Sequence, residues 1–246
     1  MNAPTPAITV RDLCKDFGRF QAVKKISFDV TPGEIVGFLG PNGAGKTTTI
    51  KMITGLLKIT SGQVLVGGLD NRLHLARIKK KLGYMSQKFS LYPLLTGLEN
   101  IEFFGGISGL SGNELRAHAA LIGEQVPAEL LRQKIQDLPP GIRQKLAMSV
   151  CLMPEPEIIL LDEPTSGVDP EARRHFWNEI YGLKKQGKTL LVSTHNLDEA
   201  EYCDRIIIIH NGEIVAAGEP DELLLQKHKA NIEELFKDSI REQGQN

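Results

Sequence analysis

The sequence contains no apolar run near the ~20 residues that a membrane-spanning helix needs, so any membrane role is expected to come through a partner. It has only three cysteines, Cys14, Cys151 and Cys203, far apart and without Cys-x-x-Cys spacing. That argues against a zinc site and points to a reducing compartment. An excess of either charge is also missing: 29 Lys and Arg against 30 Asp and Glu give a net charge of −1. Bulk electrostatics therefore gives no case for nucleic acid, and none is expected as a partner. Met1–Val10 shows no basic stretch leading into an apolar one, so no signal peptide is expected. Internal repeats and low-complexity segments are absent as well. At 41% hydrophobic and 24% charged over 246 residues, the composition is that of an ordinary globular protein.

What is present is organised around Gly40-Pro41-Asn42-Gly43-Ala44-Gly45-Lys46-Thr47. The apolar run Ile35–Leu39 before it reads as a buried strand, and Thr48–Ile53 after it reads as a helix closed by Gly55. Strand, glycine loop and helix are the context that gives G-x-x-x-x-G-K-[ST] a physical meaning. Phosphate binding needs several backbone N–H groups aimed at one small volume. Glycines permit that close approach, and a helix start adds free N–H groups and a positive dipole end. Lys46 is expected on the β- and γ-phosphates, and the Thr47 hydroxyl on Mg²⁺.

Around this stretch the texture is mixed. Ile8–Leu13, Ile26–Val30 and Gln63–Val66 read as strands of a largely antiparallel unit. From Thr96 to about Met153 the patterns are mostly helical, with helices expected over Glu114–Ile122 and Ala128–Ile135. A third helix starts after Pro139-Pro140-Gly141, because proline suits a first helical turn. Beyond it, strands at Ile158–Leu161, Thr189–Ser193 and Ile206–Ile209 alternate with helices at Glu171–Lys185 and Leu197–Tyr202. A hairpin across Asn211-Gly212 pairs Glu213–Ala217, and one or two amphipathic helices fill Asp221–Arg241. The expectation is an α/β core interrupted by a helical insert.

A phosphate loop alone names no reaction. The apolar strand Ile158–Leu161 ends in Asp162-Glu163, which places carboxylates at the edge of a parallel sheet where ligands bind. Asp162 is expected to hold Mg²⁺, and Glu163 to orient and deprotonate a water. Gln87 ends a strand, and His195 follows one. Both are candidates for the γ-phosphate site, with His195 donating to the phosphate and Gln87 bridging metal and water. Asp169 precedes Pro170 and is a candidate helix cap or site residue. Phe17 is a candidate adenine platform.

Taken together, these residues resemble the ATP-binding cassette ATPases over about residues 5–225. The aromatic loop at Phe17, the Walker A loop Gly40–Thr47 continuing into Thr48, and the Q-loop at Gln87 occur in family order. The Walker B strand Ile158–Asp162 with Glu163, the D-loop Ser166–Asp169 and the switch His195 follow. The resemblance implies a P-loop, RecA-like core with an antiparallel β subdomain and a helical insert. Its divisions are expected at 1–87, 88–153, 154–220 and 221–246. It also implies Mg-ATP sandwiched between two cassettes, and a peripheral place for this chain on the cytoplasmic side of the inner membrane, held there by a transmembrane permease subunit. The stretch 88–96, with Phe89, Leu91 and Tyr92, is similar to the surface that receives such a subunit.

One element departs from the family. Its signature, Leu-Ser-Gly-Gly-Gln, is here Leu138-Pro139-Pro140-Gly141-Ile142, followed by Arg143-Gln144-Lys145. Pro139 has no hydroxyl and Pro140 no N–H, so the grip on a partner's nucleotide is expected to rest on Gly141, Ile142 N–H and the helix dipole. The wording around these motifs is similar to exporters of drugs or lipid-like molecules. The expected function is Mg-ATP hydrolysis coupled to export of a small amphipathic molecule. The alternatives are a soluble cassette acting on ribosomes or DNA, and a largely non-hydrolysing regulatory cassette.

Overall fold

The computed structural model describes residues 5–87 and 91–243. Strands β1 (Ile8–Phe17) and β2 (Phe20–Val30) form a long hairpin. The buried strand β3 (Ile35–Leu39) then leads through the glycine loop into α1 (Lys46–Ile53). With β4 (Ser61–Val66) and β5 (Leu69–Asp70), the first hairpin completes an antiparallel sheet of order β2-β1-β4-β5. A short helix α2 (Leu75–Lys79) precedes β6 (Leu82–Met85).

The helical stretch comprises α3 (Gly97–Ile107), α4 (Gly112–Gln125), α5 (Ala128–Leu131) and α6 (Pro140–Leu152). A capping box formed by Thr96 and Glu99 starts α3. The helix expected to run to Ile135 stops four residues earlier. Ile135 N donates instead to Leu95 O at 3.0 Å, Gly97 N donates to Gln133 O at 3.2 Å, and Thr96 bridges Lys134. Backbone pairing with the start of α3 overrides the local helix pattern there. Leu91 is 7% exposed and belongs to the core, so it is not part of the receiving surface expected of the stretch 88–96. Lys88, Phe89 and Ser90 lie outside the described residues.

The chain returns through β7 (Ile158–Asp162), α7 (Pro170–Lys185) and β8 (Thr189–Thr194). Leu197–Tyr202 is a 3₁₀ segment rather than an α-helix. Strands β9 (Arg205–His210) and β10 (Glu213–Gly218) then pair through Asn211 and Gly212, both at positive φ. Helices α8 (Pro220–Gln226) and α9 (Ile232–Gln243) close the described chain.

The second sheet has the order β10-β9-β3-β8-β7-β6, parallel except for β10. Its strands are apolar on both faces because both faces are covered. Ile35, Leu39, Ile159, Leu161, Leu190 and Val192 point towards α6 and α7. Val36, Phe38, Ile158, Leu160 and Leu191 point towards α1 and the antiparallel sheet. The period of two therefore puts Asp162 and Ser193 on the second face, and the register pairs them directly. Parallel pairing also aligns the C-terminal ends of β3, β6, β7 and β8 at one edge, where Gly40, Gln87, Glu163 and His195 follow.

Gly40 holds the turn out of β3. A Cβ there would lie 2.2 Å from Ile209 O, a backbone atom of the neighbouring strand. Gly40→Ala is expected to destabilise the fold by at least about 2 kcal/mol, since the clash is with backbone rather than a movable side chain. Denaturant unfolding of the purified variant measures this.

Candidate functional site

The loop between β3 and α1 is built to receive an anion. Gly43 and Gly45 sit at φ +82° and +110°. No backbone acceptor takes the N–H of Gly45, Lys46, Thr47 or Thr48. Gly45 has no side chain to cap α1, and the first turn of α1 carries no acid. Free N–H groups and a positive dipole end thus face the same space. That space is a cleft of about 440 Å³ lined in part by Phe17, Asn42, Gly43, Thr48, Gln87 and Glu163. Pro41 and Ala44 shape the loop: Ala44 is buried, and Pro41 O accepts from Ala44 N. Phe17 is 49% exposed and lines the cleft, so it is not a core residue. Phe20, 64% exposed, lines the same cleft and was not a sequence candidate.

Four of the expected side chains converge. Glu163 is 4% exposed. Its Oε1 lies 3.1 Å from Lys46 Nζ, and its Oε2 accepts from Gln87 Nε2 at 2.9 Å. His195 Nδ1 stands 3.1 Å from the same Oε2. Lys46 also donates to Gly40 O at 2.6 Å and to Pro41 O at 3.1 Å. A buried carboxylate without partners is costly, and here the Glu163 carboxylate is fully engaged. Its backbone sits at φ +49°, uncommon outside glycine and typical of functional turns.

Beside it, Asp162 Oδ1 accepts from Thr47 Oγ1 at 2.9 Å and from Ser193 Oγ at 2.7 Å. Asp162 Oδ2 is buried and has no partner. An unused carboxylate oxygen next to a threonine hydroxyl is a hard donor set, which suits a small divalent cation. Nearby, the Tyr84 hydroxyl is also buried without a partner. Burial and the Asp162 charge push its pKa well up, so it stays neutral.

Ser193 was not a sequence candidate, yet its Oγ holds both acids. It donates to Asp162 Oδ1 and accepts from Glu163 N at 3.0 Å. A polar residue on the inward face of an otherwise apolar strand was the available signal.

The stretch Leu138–Ile142 lies apart from the cleft lining, as does Asp169. Leu138 is buried, Pro139 and Pro140 are exposed, and Pro140 begins α6. Ile142 N–H, expected to be free, donates to Pro139 O at 3.1 Å. The first turn of α6 therefore offers only Gly141 N–H from this stretch. Asp169 caps α7, its Oδ1 accepting from Glu171 N at 3.1 Å and Ala172 N at 2.9 Å. Those amide bonds hold its carboxyl below the usual carboxylate range.

Fold and site together define a nucleotide-binding cassette, and similarity to known proteins agrees. The ABC transporter family model matches residues 23–166. The chain belongs to this family, with the α/β fold of an ATP-binding cassette. It is 47% identical over 226 residues to the probable multidrug ABC transporter ATP-binding protein YbhF of Escherichia coli strain K12, covering 90% of this chain and 39% of YbhF. It thus spans well under half of that relative's length. It is 37% identical over 244 residues to the linearmycin resistance ATP-binding protein LnrL of Bacillus subtilis strain 168, covering 95% of this chain and 78% of LnrL. The dimeric structure of MJ0796, a bacterial ABC transporter cassette, superposes with a TM-score of 0.79 at 30% identity, covering 86% of this chain and 98% of that one.

Ser193→Ala strips one partner from Asp162 and one from Glu163 N. It is expected to cost about 1–3 kcal/mol of stability, the usual penalty for buried polar groups losing a bond. Thermal or denaturant unfolding without nucleotide checks this.

Proposed function

We propose that this chain binds and hydrolyses ATP as the cassette of an exporter, its cycle driving a membrane partner that moves a small amphipathic molecule. The observation that carries the reading is the convergence of Lys46, Gln87 and His195 on Glu163, one residue from Asp162 and beside the open N–H groups of the phosphate loop. The names of YbhF, a probable multidrug transporter component, and LnrL, a linearmycin resistance protein, support drug-like cargo.

ATP places its phosphates on residues 40–48 and its adenine against Phe17. Lys46 turns from Glu163 to the β- and γ-phosphates. Glu163, released from Lys46, takes a proton from a water that attacks the γ-phosphorus in line. The bond from that phosphorus to the bridging oxygen breaks, and ADP and phosphate result. His195 donates to a γ-phosphate oxygen, and Gln87 orients the water. Thr47, Asp162 and Gln87 would hold Mg²⁺, which would supply charge neutralisation for the phosphates.

A second cassette supplies the other wall of the site. The Leu138–Ile142 stretch of each chain faces the nucleotide of the other, and Asp169 shapes the intervening loop. With one free N–H and no hydroxyl there, each lost donor to a charged phosphate removes about 1.5–3 kcal/mol, so turnover is slow but not abolished. We place the helical insert at residues 88–153, between a first part at 1–87 and a second core part at 154–220, with a C-terminal part at 221–246.

The permease docks on the insert. Tyr92, Leu94, Leu98, Phe103 and Ile107 are exposed, and the rings of Tyr92 and Phe103 stack edge to face at 4.7 Å. Exposed apolar clusters of this kind mark interaction sites. No helix among the described residues is long and apolar enough to cross a membrane, which supports association through a partner.

Glu163→Gln is expected to keep ATP binding and to lower turnover by at least about 100-fold, the usual contribution of a general base. Lys46→Ala is expected to weaken both. A phosphate-release assay with a nucleotide-binding titration separates the two effects, and near-normal turnover in Glu163→Gln would refute the assigned base.

A further inference from the structure

The positive φ of Glu163 is a strained conformation for a residue with a side chain. Such strain persists only where the surroundings over-determine it. The next two residues, Pro164 and Thr165, are buried, and a side chain from a different element grips each. Gln144, on the second turn of α6 and 3% exposed, donates Nε2 to Pro164 O at 2.7 Å. From the other side, Thr165 Oγ1 donates to Glu199 Oε1 at 2.7 Å. Glu199 is 1% exposed, and Arg173 of α7 approaches the same oxygen at 3.5 Å.

These ties have a direction. Gln144 stands two residues after Ile142, on the helix whose start is Pro139-Pro140-Gly141. Glu199 stands four residues after His195. The backbone that aims Glu163 is thus pinned on one side to α6 and on the other to the segment carrying His195. The chemistry of the first tie is specific. Pro164 O is a buried carbonyl and needs a donor. A neutral amide supplies one without the cost of burying a charge.

We propose that Gln144 is a positioning residue for hydrolysis. Its amide fixes the turn after Glu163 relative to α6, so the carboxylate is aimed only while α6 keeps this placement. A shift of α6, whose first turn carries the variant signature, therefore reaches the base through one hydrogen bond. The inference rests on the reading of Glu163 as the base, and deepens it.

The test is Gln144→Met, which keeps the size and removes the donor. Because the Thr165–Glu199 tie remains, the turn loosens rather than unfolds. Amide exchange of residues 163–168, followed by mass spectrometry on the nucleotide-free protein, should accelerate about tenfold, as for the loss of one buried hydrogen bond. Exchange of residues 46–53 should not change. The kcat for ATP should fall about tenfold while nucleotide affinity moves less than about twofold, a split that general structural damage does not produce. Gln144→Asn, one methylene short of reaching Pro164 O, should behave alike and serves where the methionine variant does not fold. Unchanged exchange at 163–168, or unchanged kcat, would overturn the proposal. Retained nucleotide binding in Lys46→Ala would overturn the reading of the site instead, and the exchange result is independent of it.

Discussion

Lys46 and Glu163 form a buried ion pair, 3.1 Å apart, in the lining of the cleft beside the open N–H groups of the glycine loop. Two buried charges are expensive to desolvate, and they are tolerated only with near-complete pairing. The protein supplies that pairing from three strands that end at this edge: Gly40 O after β3, Gln87 after β6, and His195 after β8. A nucleotide's γ-phosphate offers Lys46 a better partner than one carboxylate can. Moving Lys46 frees an oxygen of Glu163 when there is a phosphate to attack. In the proposed mechanism, the same contact that satisfies the site without ligand thereby holds the base in check.

The sheet makes this possible because parallel register sends the ends of β3, β6, β7 and β8 to one edge. Asp162 and Glu163 are consecutive, yet they face different tasks. Asp162 continues the strand alternation and turns towards Thr47 and Ser193. Glu163 breaks that alternation with φ +49° and turns towards Lys46. One strained residue gives two adjacent carboxylates two separate surroundings, one left with an open oxygen and one fully engaged.

Much of this was legible in the chain. The phosphate loop, the acidic strand end, Gln87 and His195 each carry a local signature, and the structure brings Lys46, Gln87, Glu163 and His195 within hydrogen-bond distance. Side chains that act by register or across lobes were not legible. Ser193 matters because it lies opposite Asp162 in the neighbouring strand, and Gln144 because α6 packs on the turn after Glu163. Residues 132–135 read as helix, but long-range pairing with residues 95–97 took their backbone. Leu91 looked like a surface residue within an apolar stretch, and packing placed it in the core. At Pro139-Pro140 the departure from the family was plain in the sequence. The use of Ile142 N–H by Pro139 O required the helix geometry.

The exchange of partners at Lys46 is the central claim, and a crystal structure with Mg²⁺ and a slowly hydrolysed ATP analogue tests it most directly. The account predicts Lys46 Nζ on the β- and γ-phosphate oxygens and out of hydrogen-bond reach of Glu163. Glu163 then faces a water in line with the γ-phosphorus. A nucleotide bound in the cleft with the Lys46–Glu163 pair still closed would contradict it.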